Sequence, residues 1–152
     1  MESKNASKRV NLVSVKLIKE GSILYEPRRI SSPKEAFELG KEFLIDSDRE
    51  KLILVCLDNK NQPTSINTVS IGSLNSSIVH PREVFKVAIL SNSASIIIYH
   101  NHPSGDVTPS KEDISITERL KESGKILGID LIDHIIVGSN STYYSFKERG
   151  DI

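Results

Sequence analysis

Apolar runs with polar flanks recur along the chain and predict strands that are separated by helices. The segment Lys51 to Leu57 contains a continuous apolar run bounded by polar residues, which is typical of a strand buried on both faces. Further strands are predicted over residues 64–71, 94–99, 129–137 and 142–146. Because turn residues separate the run at 51–57 from the run at 64–71, we expect these two strands to pair as a hairpin.

Three helices are predicted from their start signals. Ser32 can cap the first helix, Pro33 takes its first position and Glu35 completes a capping box, and we expect this helix to end near Asp46. Pro81 starts the second helix. The third is capped by Ser110 and is expected to fray around two glycines, Gly124 and Gly128. Since helices and strands interleave, the predicted class is a mixed α/β or α+β sandwich, in which helices flank a mixed β-sheet.

The first 30 residues are predicted to contain a frayed terminus and a β-hairpin. Residues 1–9 are polar and basic and are expected to be frayed. Apolar and polar residues alternate over 13–17, which predicts a half-buried strand, and residues 23–25 are expected to pair with it as a β-hairpin. A loop of small residues is predicted over 72–77.

Composition restricts the classes of function. The 152 residues fit one domain, and 20 Lys and Arg balance 20 Asp and Glu. Zero net charge argues against nucleic-acid binding through bulk positive charge. Cys56 is the single cysteine, so the chain can form neither an internal disulfide nor a cysteine-based zinc site. The longest apolar run is too short to span a membrane and no secretory signal is visible, so a cytoplasmic protein is expected.

Two histidines and one aspartate are the strongest candidates for chemistry. His100 and His102 lie two residues apart at the end of a predicted strand, and such side chains point to the same side. Asp113 lies in the first turn of the third helix, after a loop with proline at both ends. Two histidines and a carboxylate leave a fourth zinc position for water, which is the catalytic pattern. Glu50, just before the strand that begins at Lys51, is the preferred general base.

Each candidate also has a purely structural interpretation. Asp113 could complete a helix N-terminus, Ser110 could be only an N-cap, and Glu50 could be a surface charge beside Arg49. The remaining side chains of interest are expected to be structural: His134 as a hydrogen-bonded core residue, His80 at a helix boundary, Cys56 as an inert core thiol and Asp106 in a turn.

The ordered combination resembles a known motif. The series His100-x-His102, seven residues, Ser110, two residues and Asp113 matches the JAMM motif of the JAB/MPN metallopeptidases. The longer string from His100 to Asp106, with Pro109 before Ser110, looks like the RadC branch of that family, and segments 80–85 and 133–136 also resemble RadC. The resemblance runs from about residue 31 to the end of the chain.

The resemblance implies a cytidine-deaminase-like sandwich that holds one zinc ion per chain. By position, His100, His102 and Asp113 match the family's metal ligands, and Ser110 matches the serine that stabilises the tetrahedral intermediate. Glu50 matches the glutamate that acts as general acid and base. Glu42, in the body of a helix, and Glu83, in the first turn of another, compete with Glu50 for that role.

The domain organisation follows from the extent of the resemblance. We expect residues 1–30 to be an N-terminal extension and residues 31–152 to be a RadC-like JAB/MPN domain. Larger RadC-like proteins carry an N-terminal helix-hairpin-helix domain. Because only about 30 residues precede the matching region, that domain is expected to be absent here.

The function expected first is zinc-dependent hydrolysis of peptide or isopeptide bonds in a peptide or protein substrate. The alternatives are a DNA-repair-associated role on nucleic acid, which zero net charge disfavours, and a non-catalytic MPN interaction module. A base deaminase is disfavoured because its signature needs cysteines that this chain lacks. No membrane partner is expected, and a homodimer through an exposed edge strand stays open.

Overall fold

The elements that form the fold alternate along the chain. A computed structural model describes residues 5–72 and 79–152. In chain order, the helices and strands are α1 (Pro33–Lys41), β1 (Lys51–Leu57), β2 (Pro63–Ile71), α2 (Pro81–Leu90), β3 (Ser95–Asn101), α3 (Lys111–Leu127), β4 (Asp130–Val137) and β5 (Tyr143–Ser145). The mixed α/β or α+β class is confirmed, since the three helices flank one mixed five-stranded sheet.

The sheet places β3 at its centre. The strand order is β2-β1-β3-β4-β5, and all neighbouring pairs are antiparallel except β3 with β4. The parallel pair is joined through α3, as parallel strands require a crossover connection. Every residue of β3 is buried, so the end of this strand can hold polar side chains away from water.

Helices cover both faces of the sheet. The face that we call the α1 face packs Ala36, Phe37 and Leu39 of α1 against the sheet. The opposite face, the α3 face, packs residues of α2 and α3, among them Phe85 and Leu120. Cys56 is buried on the α3 face, and burial raises the pKa of its thiol, as expected for a core thiol.

A bulge in β4 changes which side chains face α3. Ile96 pairs with Leu131, but the next residue of β3, Ile97, pairs with Asp133. The extra residue reverses the alternation, because Leu131 lies on the α3 face whereas Ile135 lies on the α1 face. After the bulge, even-numbered residues of β4 face α3.

The predicted N-terminal hairpin is wrong. Within the described residues, 5–24 form neither helix nor strand and are exposed, with Val13 at 82% and Val15 at 78%. The alternation supplies one apolar face, but a strand also needs a neighbouring strand, and a lone two-stranded hairpin is marginal in water. Residues 1–4, and residues 73–77 of the loop predicted over 72–77, lie outside the described residues.

Two predicted helix ends also need correction. The first helix ends at Lys41 rather than near Asp46, and hydrogen-bonded turns continue the chain. The third helix does not fray at Gly124. It continues to Leu127, where Gly128 adopts the left-handed conformation that commonly ends a helix. No described helix is long and apolar enough to cross a membrane.

The contact of α1 with the sheet yields the first prediction. Gly40 lies against the ring of Tyr99 so closely that a Cβ atom there would stand 2.2 Å from ring carbon Cδ1. Since Tyr99 is fully buried in β3, we expect Gly40→Ala to lower the free energy of unfolding by about 1–3 kcal/mol through overpacking. Urea denaturation measures the change. Lys34→Ala, on the exposed side of α1, is the control and should change stability by less than about 0.5 kcal/mol. Equal stability of the two variants would contradict the close contact.

Candidate metal centre

Three side chains predicted as metal ligands meet at one point. His100 is the last residue but one of β3, His102 lies in the following loop, and Asp113 belongs to the first turn of α3. His100 Nε2 lies 2.9 Å from His102 Nε2 and 3.0 Å from Asp113 Oδ1, and His102 Nε2 lies 3.1 Å from Asp113 Oδ2. The fold therefore brings together the residues that the motif identified.

His102 is oriented by the chain around it. Its backbone N–H donates to the carbonyl of Val137 at the end of β4, and its ring Nδ1 lies 2.6 Å from the carbonyl oxygen of Asp106. A carbonyl has no proton, so Nδ1 is the donor, and in the neutral ring Nε2 keeps its lone pair on the side of Asp113. The Asp106 side chain accepts from the backbone N–H and hydroxyl of Thr108, which confirms its turn role.

Asp113 is locked by the helix that it helps to start. Its Oδ2 accepts from the backbone N–H of Ser110 at 2.8 Å, while its own N–H donates to Ser110 Oγ at 3.0 Å. This capping box confirms Ser110 as the N-cap, and its hydroxyl oxygen accepts the bond through one lone pair. Asp113 therefore completes the N-terminus of α3, as the structural interpretation states, and also lies beside the two histidines.

The charges of the cluster depend on one another. Burial alone would raise the pKa of the Asp113 carboxyl, but hydrogen bonds from His100 and His102, when Nε2 of these rings is protonated, and from the Ser110 backbone N–H hold that pKa well below its usual range. The hydrogen bond to Asp113 raises the pKa of His102 against the effect of burial, and the negative charge of Glu50 acts in the same direction. Asp113 is thus ionised in a nearly dry site.

Glu50 is positioned by an asparagine between the two histidines. Asn101 is buried, its Oδ1 accepts from the backbone N–H of Lys51 at 2.8 Å, and its Nδ2 donates to the carbonyl of Arg49 at 2.9 Å. The amide therefore clamps the backbone on both sides of Glu50, whose charge acts on His102. Sequence reasoning missed Asn101, although its place between two candidate ligands was a signal.

The competing glutamates lie in different surroundings. Glu83 is exposed on α2 and forms an ion pair with Lys86 at 2.7 Å, which lowers its pKa. Glu42 is the exposed C-cap residue of α1. Neither is among the charges that shift the pKa of His102.

His134 is a hydrogen-bonded core residue, as expected, but it also contacts the cluster. It is fully buried, which lowers its pKa, and its Nε2 lies 2.7 Å from His100 Nδ1. On its other side Nδ1 lies 2.6 Å from Thr117 Oγ1 of α3. Local sequence patterns did not show this contact, because it depends on the bulge that turns His134 toward α3.

The donor set fits a metal ion. Two imidazole nitrogens and an ionised carboxylate lie about 3 Å apart. In a tetrahedral zinc site with bonds of roughly 2.0 Å, neighbouring ligand atoms are separated by roughly 3.3 Å. Within the described residues, His100, His102 and Asp113 form the one group with this property, their ligand atoms all lying within 4.8 Å of one another.

Comparison with known proteins gives one consistent family. The family model described as "RadC-like JAB domain" matches residues 30–151. UPF0758 proteins of Methanosarcina barkeri and Methanosarcina mazei are 54% and 56% identical over 126 residues, and a UPF0758 protein of Clostridium botulinum is 59% identical over 124 residues. These matches cover 82% of this chain but 54–55% of each relative, so the chain spans about half the length of the curated relatives it matches.

The geometry predicts one divalent metal ion per chain. We expect His102→Ala to lose the ion, since it removes one of three ligands, whereas His80→Ala should keep it. His80 is an exposed N-cap whose ring accepts from the Arg82 N–H, so its loss removes only a helix cap. Elemental analysis of the purified proteins measures the ratio of metal to protein. Full retention of metal by His102→Ala would contradict the assignment.

Proposed function

The chain belongs to the RadC-like JAB domain family, and on this premise we propose that it is a zinc-dependent hydrolase of peptide or isopeptide bonds. The observation that carries the proposal is the cluster of His100, His102 and Asp113. Two imidazoles with one carboxylate are one of the donor sets of catalytic zinc sites, which keep a fourth position for water or substrate. When bound, zinc would supply Lewis acidity, which polarises a carbonyl and lowers the pKa of water.

Glu50 is assigned the proton transfers. A carboxylate beside the centre would accept the proton of the attacking water and return it to the amine that leaves. Two observations support this role: the charge of Glu50 acts on His102, and Asn101 holds the backbone on both sides of Glu50. The assignment is preferred to Glu42 and Glu83, which lie exposed on helices.

Ser110 is assigned the stabilisation of the developing oxyanion. Its Oγ accepts from the Asp113 N–H, which uses a lone pair and leaves the hydroxyl proton as a donor. Because Asp113 is one of the clustered ligands, the cap holds this hydroxyl beside the centre. A hydrogen bond that forms with the substrate oxygen as its charge develops would accelerate the chemical step.

The test of the general base is Glu50→Gln. Glutamine preserves shape but cannot accept a proton, so we expect hydrolysis to fall by about 10²–10⁴-fold while the bound metal stays the same. Cleavage of a library of peptides and lysyl isopeptides, followed by mass spectrometry, measures the rate. Glu83→Gln is the matched control and should retain full activity. A fully active Glu50→Gln, or an inactive Glu83→Gln, would overturn the assignment.

The two roles of Ser110 can be separated with a second capping serine. Ser32 caps α1 as Ser110 caps α3, since each accepts from the backbone N–H three residues on. Ser32→Ala and Ser110→Ala should each lower stability by about 1 kcal/mol. Only Ser110→Ala should also reduce the rate, by about 10²–10³-fold at unchanged metal content. Equal rates in the two variants would leave Ser110 as a cap alone.

A further inference from the structure

A chain of buried hydrogen bonds joins α3 to the metal centre through His134. Thr117 Oγ1 lies 2.8 Å from the carbonyl oxygen of Asp113 and 2.6 Å from His134 Nδ1. His134 Nε2 then lies 2.7 Å from His100 Nδ1. All four residues are buried, so solvent water cannot replace these hydrogen-bond partners.

The positions of the protons in this chain follow from counting. The Asp113 carbonyl has no proton, so the Thr117 hydroxyl spends its single proton on that bond. Thr117 Oγ1 must therefore accept from His134, which places the imidazole proton of His134 on Nδ1. A fully buried imidazole that faces a hydroxyl and another imidazole is neutral, and its Nε2 is then an acceptor.

The tautomer of His100 depends on that of His134. Because His134 Nε2 accepts, His100 Nδ1 is the donor of the 2.7 Å bond. In neutral His100 the lone pair then lies on Nε2, the atom that is 2.9 Å from His102 Nε2 and 3.0 Å from Asp113 Oδ1. In the opposite arrangement, the Thr117 hydroxyl would donate to His134 Nδ1, and both His134 and His100 would carry their protons on Nε2. Thr117 Oγ1 and the Asp113 carbonyl oxygen would then face each other at 2.8 Å with no proton between them.

We propose that His134 is a positioning residue for the metal centre: anchored by Thr117, it holds His100 in the tautomer and orientation in which Nε2 binds the metal. This inference rests on the proposed metal binding. The partner of a metal-binding histidine is usually a carboxylate, a backbone carbonyl or water. A neutral imidazole in that place orients His100 without adding a second negative charge to that of Asp113.

The ring of His134 is fixed independently of His100. It stacks on Phe146 with ring centroids 4.7 Å apart and an interplanar angle of 4°. Its backbone N–H donates to Asp133 Oδ1 at 2.7 Å. Rotation of the ring would break the bonds to Thr117 and His100 together, so His134 can act as a rigid support.

The first test reads the tautomer directly. Two-dimensional ¹H–¹⁵N NMR of the imidazoles, in metal-free protein and in protein loaded with zinc, should show His134 with its proton on Nδ1 in both states. A proton on Nε2 of His134 would overturn the proposal. Absence of zinc binding would instead defeat the proposed function, because the metal-free spectrum still reports the tautomer.

The second test compares zinc affinity by competition with a chromophoric chelator. His134→Leu removes the acceptor of the His100 Nδ1–H and should weaken zinc binding by about 10–100-fold. His134→Gln supplies an amide oxygen for His100 and an amide N–H for Thr117, so it should restore most of the affinity. Ile98→Val is the control, since Ile98 is buried beside His134 in the neighbouring strand and makes no polar contact there.

A third variant keeps the proposal testable if His134→Leu does not fold. Thr117→Val removes the acceptor of the His134 Nδ1–H while it preserves the shape of the side chain. We expect it to let His134 place its proton on Nε2 and to weaken zinc binding, whereas Ile98→Val should do neither. A His134→Gln variant no better than His134→Leu, or a Thr117→Val variant with unchanged tautomer and affinity, would contradict the positioning role.

Discussion

A buried carboxylate must be compensated, and the compensation of Asp113 organises one end of this molecule. With 2% of its surface exposed, Asp113 faces two imidazoles and accepts from the backbone N–H of Ser110, the N-cap of α3. Leaving such a charge without partners would cost several kcal/mol. The start of α3, the end of β3 and the loop between them are therefore coupled through one side chain, and a metal ion would join a set of partners that is already assembled.

Three consecutive residues, the last two of β3 and the one that follows, have different roles in the site. His100 and His102 point toward Asp113, whereas Asn101 binds the backbone on both sides of Glu50. The alternation of a strand gives this division directly, because neighbouring side chains point to opposite sides. The antiparallel pairing of β1 with β3 then brings the start of β1, and Glu50 before it, to the end of β3.

Sequence patterns could predict most of the elements because local periodicity determines them. The bounds of β1 agree with the prediction, and the capping serines Ser32 and Ser110 begin their helices as expected. The N-terminal hairpin failed because alternation reports an apolar face and not whether another surface covers it. The candidate ligands were predictable because the motif lies in one short segment. Asn101 instead acts on the start of β1, and Thr117 of α3 contacts His134, and local patterns do not encode such contacts between distant elements.

The bulge in β4 sets the phase of that strand relative to the metal centre. Side chains alternate strictly in a strand, so one residue more or fewer exchanges the two faces of everything beyond it. With the extra residue at Ile132, the imidazole of His134 faces α3 and the carboxylate of Asp133 turns to the α1 face, where it accepts from Ser145 Oγ. If the same residues paired regularly, without the bulge, the carboxylate of Asp133 would face the cluster and the imidazole of His134 would be buried against α1. The irregular pairing at Ile132 therefore decides which of two neighbouring side chains, a carboxylate or an imidazole, reaches His100.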